Sequence, residues 1–286
     1  MNIDNKIDKD LFGEVVVKDE LLRDKFIEPP FSILDTKSGN WQRRKKLWMS
    51  KGIKSEIGRD AKVINMGTTN VAKNSTEYVS VFDPALCEVL YNWFCLENGN
   101  ILDPFAGGSV RGIVANYLGY KYTGIDIRQE QIESNREQAL NMLGVNNQPN
   151  WYVGDSNIVL DDIWNNRFDM VFSCPPYADL EVYSDLDGDI SNMSYSEFMQ
   201  AYKSIIKKSC DKLKDGGFAV FVVGEVRDKK GNYIGFVPDT IQAFKECGMN
   251  FYNEAILLNA IASASMRANG NMKSPKLVKV HENILE

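Results

Sequence analysis

Histidine is all but missing from this chain. His281 is the only one in 286 residues, so acid–base chemistry built on imidazole has a single candidate, close to the carboxyl end. Cysteine is sparse too: Cys87, Cys95, Cys174, Cys210 and Cys247 are scattered, odd in number and never spaced as Cys-x-x-Cys. That argues against a disulfide framework and against a structural zinc site, so no metal is expected. A reducing cytoplasm is the natural setting. No run approaches the roughly 18–20 apolar residues of a membrane span. The opening stretch MNIDNKIDKD carries charge but no apolar signal core, so neither membrane insertion nor secretion is expected.

A net positive charge is also lacking. The formal charge is −6, which speaks mildly against a nucleic-acid partner. The charge is unevenly spread, however. Residues 37–59 hold eight bases (Lys37, Arg43, Arg44, Lys45, Lys46, Lys51, Lys54, Arg59) against one acid, Glu56, and a second basic stretch runs through Arg267, Lys273, Lys276 and Lys279. Local patches matter more for phosphate contact than the total. Within the first stretch, a short helix is expected over Asn40–Ser50, with Trp41 and Trp48 on one side and the bases on the other. Arg43, Arg44, Lys45 and Lys46 are the first choice for phosphate contact. Solvated charge is the bland alternative for the same residues.

What is present is a core-forming composition, 44% hydrophobic and 25% charged, in a chain long enough for one large domain with an extension. Residues 1–76 are mixed in pattern and read as an amino-terminal extension. From residue 80 strand and helix alternate. Asp83 caps a helix that starts at Pro84. Strands are expected at Asn100–Asp103, Tyr122–Asp126, Trp151–Gly154, Phe168–Ser173, Phe218–Val223 and Asn253–Leu258. Helices are expected at Ser109–Leu118, Glu130–Leu143, Tyr195–Lys214 and Val237–Cys247. Such alternation builds right-handed βαβ units on a mostly parallel sheet, and a run such as FAVFVV suits a strand buried on both faces.

The segment ILDPFAGGSVRG, Ile101–Gly112, is a strand, a glycine turn and a helix start. Glycine lets backbone approach a ligand closely. The spacing is not that of a dinucleotide fold. Asp103 sits just before the turn, where an acid suits a cationic ligand such as the amino group or sulfonium of S-adenosylmethionine. The next strand ends at Asp126, placed to accept hydrogen bonds from ribose hydroxyls. The third ends at Gly154-Asp155-Ser156, whose side chains suit an adenine edge. Three turn or cap aspartates are the structural alternative.

The fourth strand runs into FSCPPYADLE, Phe172–Glu181. The pair DPFAGG and CPPY resembles the amino-methyltransferases of DNA, which carry a glycine-rich motif after the first strand and an (Asp/Asn/Ser)-Pro-Pro-(Tyr/Phe) motif after the fourth. PPFSILD (Pro29–Asp35), WQRRKKLW (Trp41–Trp48), GIKSE (Gly52–Glu56), FDPALCE (Phe82–Glu88), CPPYADLEVYSD (Cys174–Asp185) and VVGEVRD (Val222–Asp228) narrow the resemblance to phage and prophage DNA methylases. It implies a Rossmann-like class I methyltransferase fold: a mostly parallel seven-stranded sheet with helices on both faces, spanning residues 77–286. It implies S-adenosylmethionine as cofactor, held by Phe82, Asp83 and Pro84, by Asp103, Pro104, Phe105, Ala106, Gly107 and Gly108, and by Asp126, Ile127, Asp155 and Ser156. It implies DNA as partner, in a bacterial or phage-infected cell and a restriction-modification setting, and leaves a homodimer open. Cys174, Pro175, Pro176 and Tyr177 become the catalytic motif. The first residue and the first proline's carbonyl accept the hydrogens of an exocyclic amino group, and the aromatic ring stacks on a flipped base.

Cys174 departs from that pattern, because sulfur is a weak acceptor. Three readings stay open. The motif works mainly through Pro175 with the thiol tolerated; or Cys174 is a covalent nucleophile on a pyrimidine ring; or the site serves another substrate or another group carried on the sulfonium. The acidic stretch Ala178–Ser194 is expected either as a lid or as an ordinary surface loop. Glu225 and Arg227 are expected at the same sheet edge.

Overall fold

In a computed structural model, the described residues are 28–53, 82–163, 168–176, 186, 188–228, 230–259, 268, 271–272 and 275–286. The chain divides into two compact units, Met1–Pro30 and Phe31–Glu286, and every element below belongs to the second. Tyr177, most of the Ala178–Ser194 stretch, Lys54–Arg59, Arg267 and Lys273 lie outside the described residues.

The elements are β1 (Ile33–Asp35), α1 (Gly39–Ser50), α2 (Pro84–Phe94), β2 (Asn100–Asp103), α3 (Val110–Tyr117), β3 (Lys121–Asp126), α4 (Gln129–Leu143), β4 (Asn150–Val153), α5 (Ser156–Asp162) and β5 (Phe168–Ser173). A single 3-10 turn at Ile190–Asn192 follows, then α6 (Tyr195–Lys212), β6 (Leu213–Val223), α7 (Phe236–Glu246), β7 (Glu254–Leu258) and β8 (His281–Leu285). Local chemistry fixes the ends. The Asp83 side chain accepts from the Ala85 amide with Pro84 at the first helical position of α2, and Ser194 and Glu197 close a reciprocal capping box on α6.

The strands form one eight-stranded sheet in the order β1-β7-β8-β6-β5-β2-β3-β4. All neighbours are parallel except those of β8, which runs antiparallel to both β6 and β7. The strand order turns back at β2, which has β3 on one side and β5 on the other, so the carboxyl ends of these strands border a crevice where ligands bind in doubly wound sheets. The eighth strand beyond the expected seven is β1, which sets Ile33, Leu34 and Asp35 beside Ile256, Leu257 and Leu258. The β1 and α1 segments of the expected extension therefore belong to the same unit as the sheet.

Residues that alternate along the strands part into two cores. Leu102, Ile125, Val171, Ala219, Phe221 and Val223 share one with Leu160, Phe198, Tyr202 and Phe236. Their neighbours turn the other way: Phe172 meets Tyr91 of α2 edge-on at 5.1 Å, and Phe218 meets Phe94 at 5.2 Å. Helices α1 to α4 contact one another in succession, and α5, α6 and α7 do the same, giving the two covering layers.

Space is tight under α3. A Cβ added to Gly112 would lie 2.6 Å from Trp151 Cη2 and 3.0 Å from Tyr122 Cδ1, both on buried rings. Gly112→Ala should therefore lower stability by about 1–2 kcal/mol, because overpacking outweighs the helix-propensity gain of alanine. A urea titration of the full chain checks this, and a stabilised variant would contradict it.

Candidate active site

The glycine turn between β2 and α3 is held from several sides. The Ala106 amide donates to the Ile125 carbonyl at 2.9 Å, and the Gly107 amide to Asp126 Oδ2 at 3.0 Å. Asn135 Nδ2 donates to the Gly107 carbonyl at 2.7 Å, and Ser156 Oγ to that of Pro104 at 2.5 Å. Gly107 has φ +52°, a conformation that favours glycine. A Cβ on Gly108 would meet nothing within 4 Å, so the turn is open on that side. At the next strand end Asp126 also accepts from the Arg128 amide at 2.9 Å. Asp155 caps α5 through the Asn157 amide at 2.8 Å. Asp126, Ile127, Asp155 and Ser156 are thus brought to one edge with the turn. The segment at Gly188 comes back against them, since a Cβ there would lie 3.1 Å from Asp155 Oδ2 and 3.4 Å from Ile127 Cδ1.

Asp103 has a different situation from the one its sequence position suggests. It is fully buried, and protein groups surround its carboxylate. Arg111 Nε lies 2.6 Å from Oδ2 as an ion pair rather than an aligned hydrogen bond. Tyr122 Oη donates to Oδ2 at 2.6 Å, Ser173 Oγ to Oδ1 at 2.6 Å and the Phe105 amide to Oδ1 at 3.1 Å. Its sequence position suggests an acid facing a cationic ligand; the cation beside it in the structure is the chain's own guanidinium. Arg111 also donates to the carbonyls of Phe105 and, at 2.7 Å, Ala106, so it grips the turn from below. Burial alone would disfavour the Arg111 charge, yet Asp103 outweighs it and keeps the guanidinium firmly protonated. Burial, with Asp103 adding to it, pushes the Tyr122 phenol well up, so it stays a donor.

The network reaches the second motif. Ser173 ends β5, and Cys174, Pro175 and Pro176 follow directly, with Pro175 buried and Cys174 half-buried outside any disulfide. Cys174 lies close enough to Arg111 and Tyr202 to bear on the charge of each. Phe82 packs edge-on against Phe172 at 5.8 Å, and the Arg111 guanidinium lies 4.9 Å from the centre of the Phe82 ring. Phe82, Asp83, Pro84, the glycine turn and the Cys174–Pro176 segment are therefore neighbours; Tyr177 is beyond the described residues.

The basic helix α1 lies along α2. Trp41 Nε1 and Lys45 Nζ both donate to Asp83 Oδ2, at 3.1 and 3.0 Å. Arg44 makes two bonds to Glu88, from Nε at 2.6 Å and Nη2 at 2.7 Å, and Trp48 Nε1 donates to the same carboxylate at 2.7 Å. Arg44 and Lys45 thus share the tryptophan face instead of opposing it. Arg43, bonded to Asn40 at 3.3 Å, and Lys46 are not part of these two clusters. Arg111, Tyr122 and Ser173 were not among the expected site residues. The available signal was a lone arginine in the otherwise apolar start of α3, next to an acid before a glycine turn.

Among the described residues, no group of three or more His, Cys, Asp or Glu is placed to hold a metal ion, and no helix is long and apolar enough to cross a membrane.

Residues 21–137, which include the glycine turn, match the family model N6_N4_Mtase, described as DNA methylase. No curated protein matches the chain. Among solved structures, TrmN from Thermus thermophilus aligns with TM-score 0.47 and 12% identity over 71% of this chain and 48% of that one, so the chain spans about half of that protein's length. A putative rRNA-methylase from Clostridium thermocellum aligns with TM-score 0.45 and 12% identity, over 70% and 93% of the two chains. Magnesium protoporphyrin IX methyltransferase from Synechocystis, solved with bound S-adenosylmethionine, gives TM-score 0.41 and 13% identity over 71% and 74%. The fold assignment rests on the strand order itself. By that order the fold is Rossmann-like, and residues 21–137 are similar to the DNA methylase family.

Proposed function

We propose that this chain methylates an exocyclic amino group of a DNA base, N6 of adenine or N4 of cytosine, with the base turned out of the duplex. The observation that supports this most is the bond from Ser173 to Asp103, which fixes the start of the Cys-Pro-Pro segment against the glycine turn. The residues fit the cofactor: the turn is open at Gly108, and Asp126, Asp155 and Ser156 stand at the same edge. S-adenosylmethionine supplies, when bound, a methyl group activated on its sulfonium. Phe82, Asp83 and Pro84 would hold its methionine end, Asp126 its ribose and Asp155 with Ser156 its adenine. The Pro175 carbonyl accepts one amino hydrogen and fixes the direction of the nitrogen lone pair; the double proline holds that carbonyl still. Cys174 takes the second acceptor position, and Tyr177 stacks on the base. The amino nitrogen attacks the methyl carbon directly as the carbon–sulfur bond breaks, the electron pair staying on sulfur in the departing thioether, and the amino proton is lost to water.

In this reading residues 77–286 form the main part of the methyltransferase domain, β1 and α1 belong to the same unit, and α1 approaches DNA through Arg43 and Lys46. The setting is the cytoplasm of a bacterial or phage-infected cell.

Calorimetry of the full chain should show S-adenosylmethionine binding, and none at millimolar ligand would sink the reading. Nucleosides from DNA of expressing cells should contain new N6-methyladenine or N4-methylcytosine by mass spectrometry. Cys174→Ala should slow transfer by about tenfold or less, the worth of one hydrogen bond, and trap no DNA adduct. Abolished activity together with loss of a trapped adduct would instead favour covalent pyrimidine chemistry, and a heavier nucleoside would indicate another transferred group.

A further inference from the structure

Between β6 and α7 the chain forms a small hairpin. The Ile234 amide donates to the Val226 carbonyl at 3.0 Å, and the Asp228 amide to that of Asn232 at 2.9 Å; Arg227 pairs with Tyr233. The tip is closed by the Gly231 amide on the Asp228 carbonyl and by Asp228 Oδ1 accepting from the Asn232 amide at 2.8 Å. Its root is fixed. Val226 is buried, and the Glu225 carboxylate accepts from the Val237 amide at 2.9 Å and that of Gly235 at 3.3 Å, at the start of α7.

The hairpin carries cations around an exposed ring. The Arg227 guanidinium lies 3.9 Å from the centre of the Tyr233 ring and donates to the Gly231 carbonyl at 2.7 Å. Tyr233 is 47% exposed. Lys230 is exposed at the tip. The Lys276 amine, from a separate segment, comes over Gly231 so closely that a Cβ there would lie 2.1 Å from Nζ. Among the described residues neither Lys230 nor Lys276 has an ion-pair partner. Asp228 is the one acid on the hairpin tip, and its carboxyl is held low by the Asn232 and Gly231 amides.

Sheet register gives the location. Ser173 lies opposite Phe221 in parallel strands, so Cys174 and Gly224 leave the sheet at the same edge. Asn283 lies opposite Val223 in antiparallel strands, so the segment before His281 arrives at that edge too. Three segments, Cys174–Pro176, the hairpin and Lys276–Val280, converge beside the crevice. Helix α1 cannot offer all its charge there, because Arg44 and Lys45 are engaged with Glu88 and Asp83.

We propose that this hairpin is a DNA-contacting surface: Lys230 and Lys276 take phosphates flanking the target base, and Arg227 stacked on Tyr233 forms a flat, cationic platform against sugar or base. The proposal rests on the DNA reading above and adds the surface that would hold the duplex. Basic side chains beside an exposed aromatic ring suit a polyanion with flat faces, and each phosphate contact contributes to salt dependence.

The test measures binding of a duplex of about 25 base pairs to the full chain by fluorescence anisotropy over a salt series. Lys230→Gln with Lys276→Gln should weaken binding about tenfold and flatten the slope of log affinity against log salt by about two. Tyr233→Leu should weaken binding with the slope unchanged. Melting temperature and S-adenosylmethionine affinity should stay at the parent's values, and Lys207→Gln, on the exposed face of α6, should change nothing. A double lysine variant with parental affinity and slope overturns the proposal while leaving the DNA reading standing. A parent that binds the cofactor but no duplex overturns both.

Discussion

Asp103→Leu should cost the fold about 3–5 kcal/mol, the penalty for leaving a buried ion without its counter-charge. The reason lies with its partner. Arg111 is buried and would keep its charge while losing the carboxylate beside Nε. Tyr122 and Ser173 would lose their acceptor at the same time. Arg111→Met should be similarly damaging, because it leaves the carboxylate with two hydroxyls and one amide but no cation. The double variant, Asp103→Leu with Arg111→Met, should recover a large part of either loss, since an apolar pair of similar volume can replace a buried ion pair. Urea titrations of the three variants, compared at equal m-values, provide the measurement. Additive losses in the double variant would show that the two side chains act independently, contrary to the geometry.

Glu88→Ala is expected to be the next most damaging change, at about 2–3 kcal/mol. It leaves the buried indole N–H of Trp48 with no acceptor and removes both bonds from Arg44. Water can reach part of the Arg44 side chain, which keeps the estimate below that for Asp103. Arg44→Ala should cost distinctly less, because Trp48 keeps Glu88. The loss should be local to the contact of α1 with α2, so proteolysis within Gly39–Ser50 should speed up in Glu88→Ala and the Trp48 environment should become more polar by fluorescence. An α1 that stays protected in Glu88→Ala would show that apolar contacts alone hold it.

Both expectations concern contacts that periodicity conveys only in part. The buried strand Phe168–Ser173 and the capped helix from Pro84 were legible because each carries its own local signal: a continuous apolar run, and Asp-Pro at a helix start. The arrangement of α1 was also within reach. Trp41, Arg44, Lys45 and Trp48 follow helical spacing, so the period that buries the tryptophans also turns two bases inward. What hid this was the assumption that charge faces water, which fails when Asp83 and Glu88 lie beneath. β1 has three residues with only Leu34 buried, α5 has seven, and β8 begins with the polar His281-Glu282-Asn283, so none shows a period long enough to read. The site was legible as a place: the glycine turn, Asp126, Asp155 and the Cys-Pro-Pro segment do meet. The inner partner of Asp103 was not, because an ion pair between β2 and α3 leaves no mark in either element's pattern.

The antiparallel strand β8 has a kinetic consequence. It lies between β6 and β7 although both precede it in the chain, and β7 with β1 joins the rest of the sheet only through it. Until β8 inserts, the sheet is two pieces with open edges facing each other, and β6 presents an unpaired row of backbone donors and acceptors. Closure depends on contacts between residues far apart in sequence, as when Leu285 takes its place beside Phe221, and such contacts form slowly. The hairpin after β6 and the segment before His281 acquire their shared edge only when β8 takes its place between β6 and β7.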